Sequence, residues 1–162
     1  MRLGRAITTI LALAAAPPLF AATVTGYKPD SLATALKDAG YEVTLGTDDT
    51  GDPVLDLVMQ GYKTRLLFLD CDPAAHDKCG SVQFFAAFDA DGPGLTPADA
   101  VAFARRYRYA AVSLNASGDP MLRWDIETGD GIPREVFVAA AARFLGTVRA
   151  MGTTLFPQTA AQ

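Results

Sequence analysis

Hydrophobic and polar positions along this chain follow two spacings, one typical of helices and one typical of strands. Three stretches carry apolar residues three and four positions apart, which gives a helix one apolar face. The first stretch begins at Pro29 and ends at Gly40, the second begins at Pro97 behind the N-cap residue Thr96, and the third begins at Pro133. Proline in the first turn and glycine just past the last turn are typical of helix ends. The pattern therefore predicts three helices.

Six other stretches have the alternating or continuous apolar pattern of strands. The predicted strands are residues 41–45, 54–59, 62–69, 82–88, 109–114 and 121–126. Because strands far outnumber the helices that could serve as crossovers, most neighbouring strands must be antiparallel, with helices packed on one face. We expect an α+β domain in the order α-β-β-β-β-α-β-β-α, with a mainly antiparallel sheet of about six strands.

One turn sequence occurs twice, each time between two predicted strands. Each copy has eight residues: it begins with Asp or Asn, has Gly-Asp-Pro at its fourth to sixth positions, and ends with two apolar residues. A short polar side chain at the first position and glycine at the fourth are typical of a type I turn. Both copies therefore predict hairpins, and the structural turn positions are Asp48, Gly51, Pro53, Asn115, Gly118 and Pro120.

The N-terminal residues have the composition of a secretory signal peptide. Arg2 and Arg5 precede an uncharged stretch, residues 6–20, which is followed by two alanines. The apolar run is shorter than the roughly 20 residues needed to cross a bilayer, and two prolines interrupt it. We expect cleavage rather than a stable membrane anchor, and we expect the mature protein to be periplasmic or secreted.

Charge argues against nucleic-acid binding, and length indicates a single domain. Removing Arg2 and Arg5 with the signal peptide leaves 12 basic and 18 acidic residues, a formal net charge of −6. An acidic surface is a poor partner for nucleic acid, because phosphate binding depends on lysine and arginine. About 140 residues suffice for one ordinary core. We expect a signal peptide at 1–22, a short leader at 23–28, one domain at 29–152 and a flexible tail at 153–162.

The two cysteines, Cys71 and Cys79, flank one short polar loop between predicted strands. In an exported chain with no third cysteine, a disulfide between them is the default expectation. Loop-closure entropy would then stabilise the fold by roughly 2.6 kcal/mol. The alternative is a metal site made by Cys71, His76 and Cys79, although this spacing differs from the familiar short Cys-x-x-Cys pairs and needs free thiolates.

His76 is the only histidine, so nucleophilic catalysis of the Ser-His-Asp or Cys-His kind would have to use it as the base. It stands in a polar loop, and no serine lies in a Gly-x-Ser-x-Gly elbow. We therefore expect no enzymatic activity, no catalytic residues and no cofactor.

A short segment mixes cations with aromatic rings at the end of the second predicted helix, on an otherwise acidic domain: Arg105, Arg106, Tyr107, Arg108 and Tyr109. Arginine at a helix C-terminus complements the helix dipole, which explains the segment without a ligand. The same composition also suits contact with an anionic partner. We hypothesise that an anionic ligand, if the domain has one, binds there.

The order of these features resembles the YbjN domain family, in its exported members. In the first half of the chain the resemblance rests on Gly40-Tyr41, the first Gly-Asp-Pro turn, and the cysteine loop followed by the aromatic strand 82–88. In the second half it rests on Arg106-Tyr107, the second Gly-Asp-Pro turn, and Leu122 and Asp125 after that turn. It covers residues 29–151. The family pattern has Trp-Asn where this chain has Phe103-Ala104.

The resemblance implies a fold similar to type III secretion chaperones, a label as a sensory transduction regulator, and no catalytic residues. We expect a non-enzymatic periplasmic module that binds an unidentified protein or peptide, in a regulatory or chaperone-like role. The alternative is a small-molecule or metal-responsive sensor that uses the loop with Cys71, His76 and Cys79. The sequence leaves the oligomeric state open.

Overall fold

The described residues form three helices separated by groups of strands. A computed structural model describes residues 22–89 and 94–156. Its elements in chain order are β1 (Thr23–Val24), α1 (Pro29–Asp38), β2 (Glu42–Thr47), β3 (Pro53–Met59), β4 (Tyr62–Leu69), β5 (Ser81–Ala87), α2 (Pro97–Arg106), β6 (Ala111–Leu114), β7 (Pro120–Glu127), β8 (Ile132–Pro133) and α3 (Arg134–Leu155).

Six strands form one sheet in the order β2-β3-β4-β5-β7-β6, and every neighbouring pair is antiparallel. β1 and β8 form a separate two-stranded sheet. The expected α+β class, the three helices, their order and the antiparallel sheet are confirmed.

The two faces of the large sheet differ because alternate side chains of a strand point to opposite sides. Leu55, Leu66 and Phe84 lie side by side on neighbouring strands and are buried under the helices. Phe84 stacks on two rings of α3, with centroid distances of 5.6 Å to Phe137 and 5.4 Å to Phe144. The core therefore lies between this face and the helices.

α3 is the one helix in the described ranges that is long and apolar enough to cross a membrane, by length and composition alone. Half of its most apolar stretch is buried inside the protein. Its apolar character is explained by packing on the sheet, since Phe137, Phe144 and Met151 are all fully buried.

Regular structure extends beyond both limits of the expected domain, 29–152. The segment 23–28, expected to be a short leader, contributes β1, which pairs with β8, and the Val24 side chain is buried in the core. At the other end, α3 continues to Leu155, so the first residues of the expected flexible tail are helical. The expected signal peptide, except Ala22, and residues 157–162 lie outside the described residues.

The first Gly-Asp-Pro turn is closed by its aspartate. Asp48 Oδ1 accepts hydrogen bonds from the backbone N–H of Thr50 (2.8 Å) and of Asp52 (3.1 Å). The Thr50 hydroxyl donates to the same oxygen, and it is the main reason that the pKa of Asp48 lies below its ordinary value. Gly51 follows with φ of 97°, in the left-handed region.

The second turn repeats this geometry with asparagine in place of aspartate. Asn115 Oδ1 accepts from the N–H of Ser117 (2.8 Å) and of Asp119 (2.9 Å), and Gly118 has φ of 86°. Two sequences of one pattern thus form two turns of one geometry.

Replacing either turn glycine with valine is expected to destabilise the fold by about 1–3 kcal/mol, because a β-branched residue is strained at positive φ. Gly46→Val is a matched control, since Gly46 lies in β2 without positive φ and the nearest atom to an added Cβ is 3.9 Å away. Denaturant midpoints of Gly51→Val, Gly118→Val and the control measure the effect. Equal midpoints for all three variants and the wild type would contradict the assignment of strain to these turns.

Candidate functional site

The arginine-rich segment lies where α2 ends and the chain enters β6. Arg105 and Arg106 belong to the last turn of α2, and Tyr107 is its C-cap, whose N–H donates to the Phe103 carbonyl (3.0 Å). The ring of Tyr107 packs on that of Phe103, with centroids 4.4 Å apart. Because Phe103 is buried, Tyr107 is anchored to the core.

Tyr109 lies at the centre of a second set of contacts. Its ring centroid is 5.1 Å from that of Trp124 on β7. The guanidinium carbon of Arg108 lies 5.4 Å from the Tyr109 centroid, and that of Arg143, on α3, also lies 5.4 Å away. Arg106 has a similar position over Tyr107, at 5.6 Å.

These contacts define an arginine–aromatic cluster, which consists of Arg106, Tyr107, Arg108, Tyr109, Trp124 and Arg143. The arginines are exposed and the aromatic rings are half-buried. Arg105, the first residue of the sequence segment, is exposed on α2 and does not belong to the cluster. The sequence analysis missed Arg143, because in the sequence it is an ordinary charged residue on the polar face of an amphipathic helix, far from residues 105–109.

None of these arginines has a carboxylate partner within 4.0 Å among the described residues, where the ion pairs are Arg65–Asp56, His76–Asp52 and Arg134–Asp38. The helix dipole favours cations within the last turn. That accounts for Arg105 and Arg106, but Arg108 and Arg143 lie outside the last turn of α2. The dipole alone therefore does not explain the cluster.

The cluster is suited to bind an anion. Guanidinium groups present paired donors that match a carboxylate, and aromatic faces hold them in place. The groups that the cluster offers to a ligand are therefore guanidinium donors and aromatic rings.

The cysteine loop is closed by a disulfide between Cys71 and Cys79. His76, between them, reaches the first turn, where its Nδ1 lies 2.8 Å from Asp52 Oδ1. Its ring also packs over Gly51, since an added Cβ on that glycine would lie 3.4 Å from ring atoms. The loop is thus fastened to the β2–β3 hairpin.

This geometry does not fit the metal-site alternative made by Cys71, His76 and Cys79. Both sulfurs are bonded to each other, so neither is a thiolate, and His76 Nδ1 faces Asp52. Asp72, an acidic residue of the same loop, accepts hydrogen bonds from the N–H of Ala74 and Ala75, which lower its pKa. Within residues 22–89 and 94–156 no group of three or more metal-ligating side chains comes together.

A further surface, missed by the sequence analysis, is the face of the sheet that the described helices leave uncovered, called the uncovered face below. It carries the Arg65–Asp56 ion pair (2.9 Å) and Phe85, whose ring has the Arg123 guanidinium 5.2 Å from its centroid. A groove of about 470 Å³ crosses this face. The groove has both charges on its walls, with Glu42, Asp56, Lys63 and Arg65 among its lining residues.

Comparison with known proteins gives one family. The model of the YbjN family, described as "Putative bacterial sensory transduction regulator", matches residues 28–158. No match to this chain is found among curated proteins.

Proposed function

The chain belongs to the YbjN family, and on that premise we propose that it is a non-enzymatic regulatory module that acts outside the cytoplasm by binding an acidic segment of a partner protein. The family description supports the regulatory role. The kind of partner and the location are our own inferences, and each rests on a separate feature of the chain.

The observation that carries the partner class is the arginine–aromatic cluster on an acidic domain. Arg108 and Arg143 come from different parts of the chain and meet over one ring, Tyr109. Neither has a carboxylate partner in the described residues. A partner's carboxylates would supply the counter-charges and could accept paired hydrogen bonds from the guanidinium groups.

The aromatic rings support the same interpretation. Tyrosine, tryptophan and arginine are the residue types that most often dominate binding energy at protein interfaces. Tyr109 and Trp124 are half-buried and packed on each other, so the cations above them rest on a preorganised surface. Preorganised side chains lose less conformational entropy when a partner binds.

The proposed location rests on two features. The N-terminal sequence has the composition of a signal peptide, and disulfides persist mainly in oxidising compartments such as the periplasm. The Cys71–Cys79 disulfide therefore supports the same location as the N-terminal sequence does. We propose that residues 1–22 direct export and that the mature protein is periplasmic or secreted.

The test uses the single tryptophan, Trp124, whose ring packs at an angle against Tyr109 and should report binding by its fluorescence. We expect a synthetic hexaglutamate peptide to change this fluorescence in wild-type mature protein, and the affinity to fall as salt is raised. The variant Arg106→Ala/Arg108→Ala/Arg143→Ala should bind at least about tenfold more weakly, since charge-assisted hydrogen bonds contribute about 1.5–3 kcal/mol each.

A charge-matched control is Lys28→Ala/Lys37→Ala/Arg149→Ala, which removes the same number of exposed cations outside the cluster. Both variants must show wild-type circular dichroism. The same three proteins then serve as bait in periplasmic extract, where the cluster variant alone should lose partners. Equal affinity and equal capture for cluster and control variants would overturn the proposal.

A further inference from the structure

β2 forms one edge of the large sheet. The sheet order ends at β2, and no strand in the described residues pairs with its outer edge. Proteins usually protect such an edge with proline, charged side chains (lysine above all), a bulge or a very short strand. β2 has six residues, contains neither proline nor lysine, has one charged residue, Glu42, at its start, and pairs with β3 without a bulge. The opposite edge, β6, has only four residues.

The β2–β3 hairpin determines which backbone groups point outward. The Asp48 N–H donates to the Asp52 carbonyl (2.9 Å), so Asp48 is bonded toward β3. Hydrogen-bonding direction alternates along an antiparallel strand. Val43, Leu45 and Thr47 therefore direct their N–H and C=O groups to the open edge, where no hydrogen bond within the described residues satisfies them.

The side chains at this edge are also incompletely covered. Val43 packs against the core, whereas Leu45 is 42% exposed, one of the few large hydrophobic side chains with such exposure. Both project to the helix-covered side of the sheet, since Val43 lies opposite Leu57 and Leu45 opposite Leu55. A strand added beside β2 would cover Leu45.

We propose that β2 pairs antiparallel with β2 of a second copy of this chain, which joins two sheets across a two-fold axis at Thr44. In this register Val43 lies opposite Leu45 of the partner subunit, and these outward-facing residues exchange backbone hydrogen bonds. The apolar side chains meet on the helix-covered side, and the two threonines meet on the other. Such apolar and Thr–Thr pairs are favourable across strands.

Two axes, at Thr44 and at Leu45, match the outward-facing groups and pair five residues of β2, and charge distinguishes between them. Moving the axis to Leu45 would also match the outward-facing groups, but it would place Glu42 opposite Asp48 of the partner subunit. Like charges directly opposite each other are destabilising. With the axis at Thr44, Glu42 lies opposite Gly46 of the partner subunit instead. This self-complementarity is what favours a second copy over an unrelated peptide, since a two-fold interface requires one surface to match itself.

The first test is the mass of the mature protein in solution, by light scattering after size exclusion and by sedimentation equilibrium. We expect a dimer that Leu45→Lys converts to monomer, because lysine at an edge opposes strand pairing. Val136→Lys is the matched control, an exposed apolar residue (53%) on α3, and it should remain dimeric. At protein concentrations low enough to dissociate the dimer, both variants should unfold at similar denaturant concentrations.

The second test is cross-linking at the axis. Residues in a non-hydrogen-bonded pair have Cα atoms about 4.5 Å apart, within the range of a disulfide. Thr44→Cys should therefore form a covalent dimer under mild oxidation, whereas Ala111→Cys on the exposed β6 edge should not. A wild-type protein that stays monomeric at every attainable concentration, including one that binds only peptides, would overturn the proposal. So would a dimer that survives Leu45→Lys, or one in which Thr44→Cys fails to cross-link.

Discussion

Phe84→Ala is expected to lower the free energy of unfolding by about 3–5 kcal/mol. Phe84 lies on the central strand β5 and is fully buried. Its ring stacks on both Phe137 and Phe144 of α3, so it joins the sheet to the longest helix. Truncation removes buried apolar area and leaves a cavity that the rigid sheet cannot close.

Phe85→Ala provides a control at the neighbouring position. Phe85 is on the same strand but on the uncovered face, half-buried beneath the guanidinium of Arg123. Its loss should cost only about 1 kcal/mol, mainly the cation–π contact and some surface packing. Urea or guanidinium unfolding followed by circular dichroism measures both variants. Equal losses at the two positions would contradict the assignment of the core to the helix-covered face.

Reduction of the Cys71–Cys79 disulfide is expected to lower the stability of the mature protein by about 2.6 kcal/mol, the loop-closure entropy for this separation. The loop also carries His76, which bonds Asp52 and packs over Gly51. Opening the disulfide therefore frees the segment that is fastened to the first turn. Denaturant unfolding with and without reductant measures the difference.

Two controls make this result specific. A Cys71→Ala/Cys79→Ala variant should show no dependence on reductant, and Asp77→Ala, an exposed change in the same loop, should leave stability within about 0.5 kcal/mol of the wild type. Thiol labelling of the unfolded, unreduced protein should give no reaction. Two reactive thiols per chain before reduction would contradict the disulfide itself.

Local elements could be predicted because their signals lie within a few residues. The capping box of α2 is an example: Thr96 accepts from the N–H of Asp99 (3.2 Å), and the Asp99 carboxylate accepts from the N–H of Thr96 (3.0 Å). The hydrogen bond from the Thr96 hydroxyl is the main reason that the pKa of Asp99 lies below its ordinary value. Such contacts between near neighbours need no knowledge of the rest of the fold.

β1 could not be predicted in this way. Two residues carry no periodicity, and β1 exists because Thr23 and Val24 meet Pro133 and Ile132 from the far end of the chain. Thr128 adds to this joint, since its hydroxyl accepts from the Gly26 N–H and donates to the Gly80 carbonyl. Regular structure therefore begins before Pro29, the first residue of the expected domain.

The sequence by itself determined the helices, the strands of the large sheet, both turns and the antiparallel class, because period, caps and turn residues act over short distances. Only the tertiary structure brought Arg143 over Tyr109, set His76 on the first turn and left the edge of β2 open. Each of these depends on which surfaces of distant elements meet when the sheet packs against α3. Packing of this kind couples residues through space, and no pattern along the chain encodes it locally.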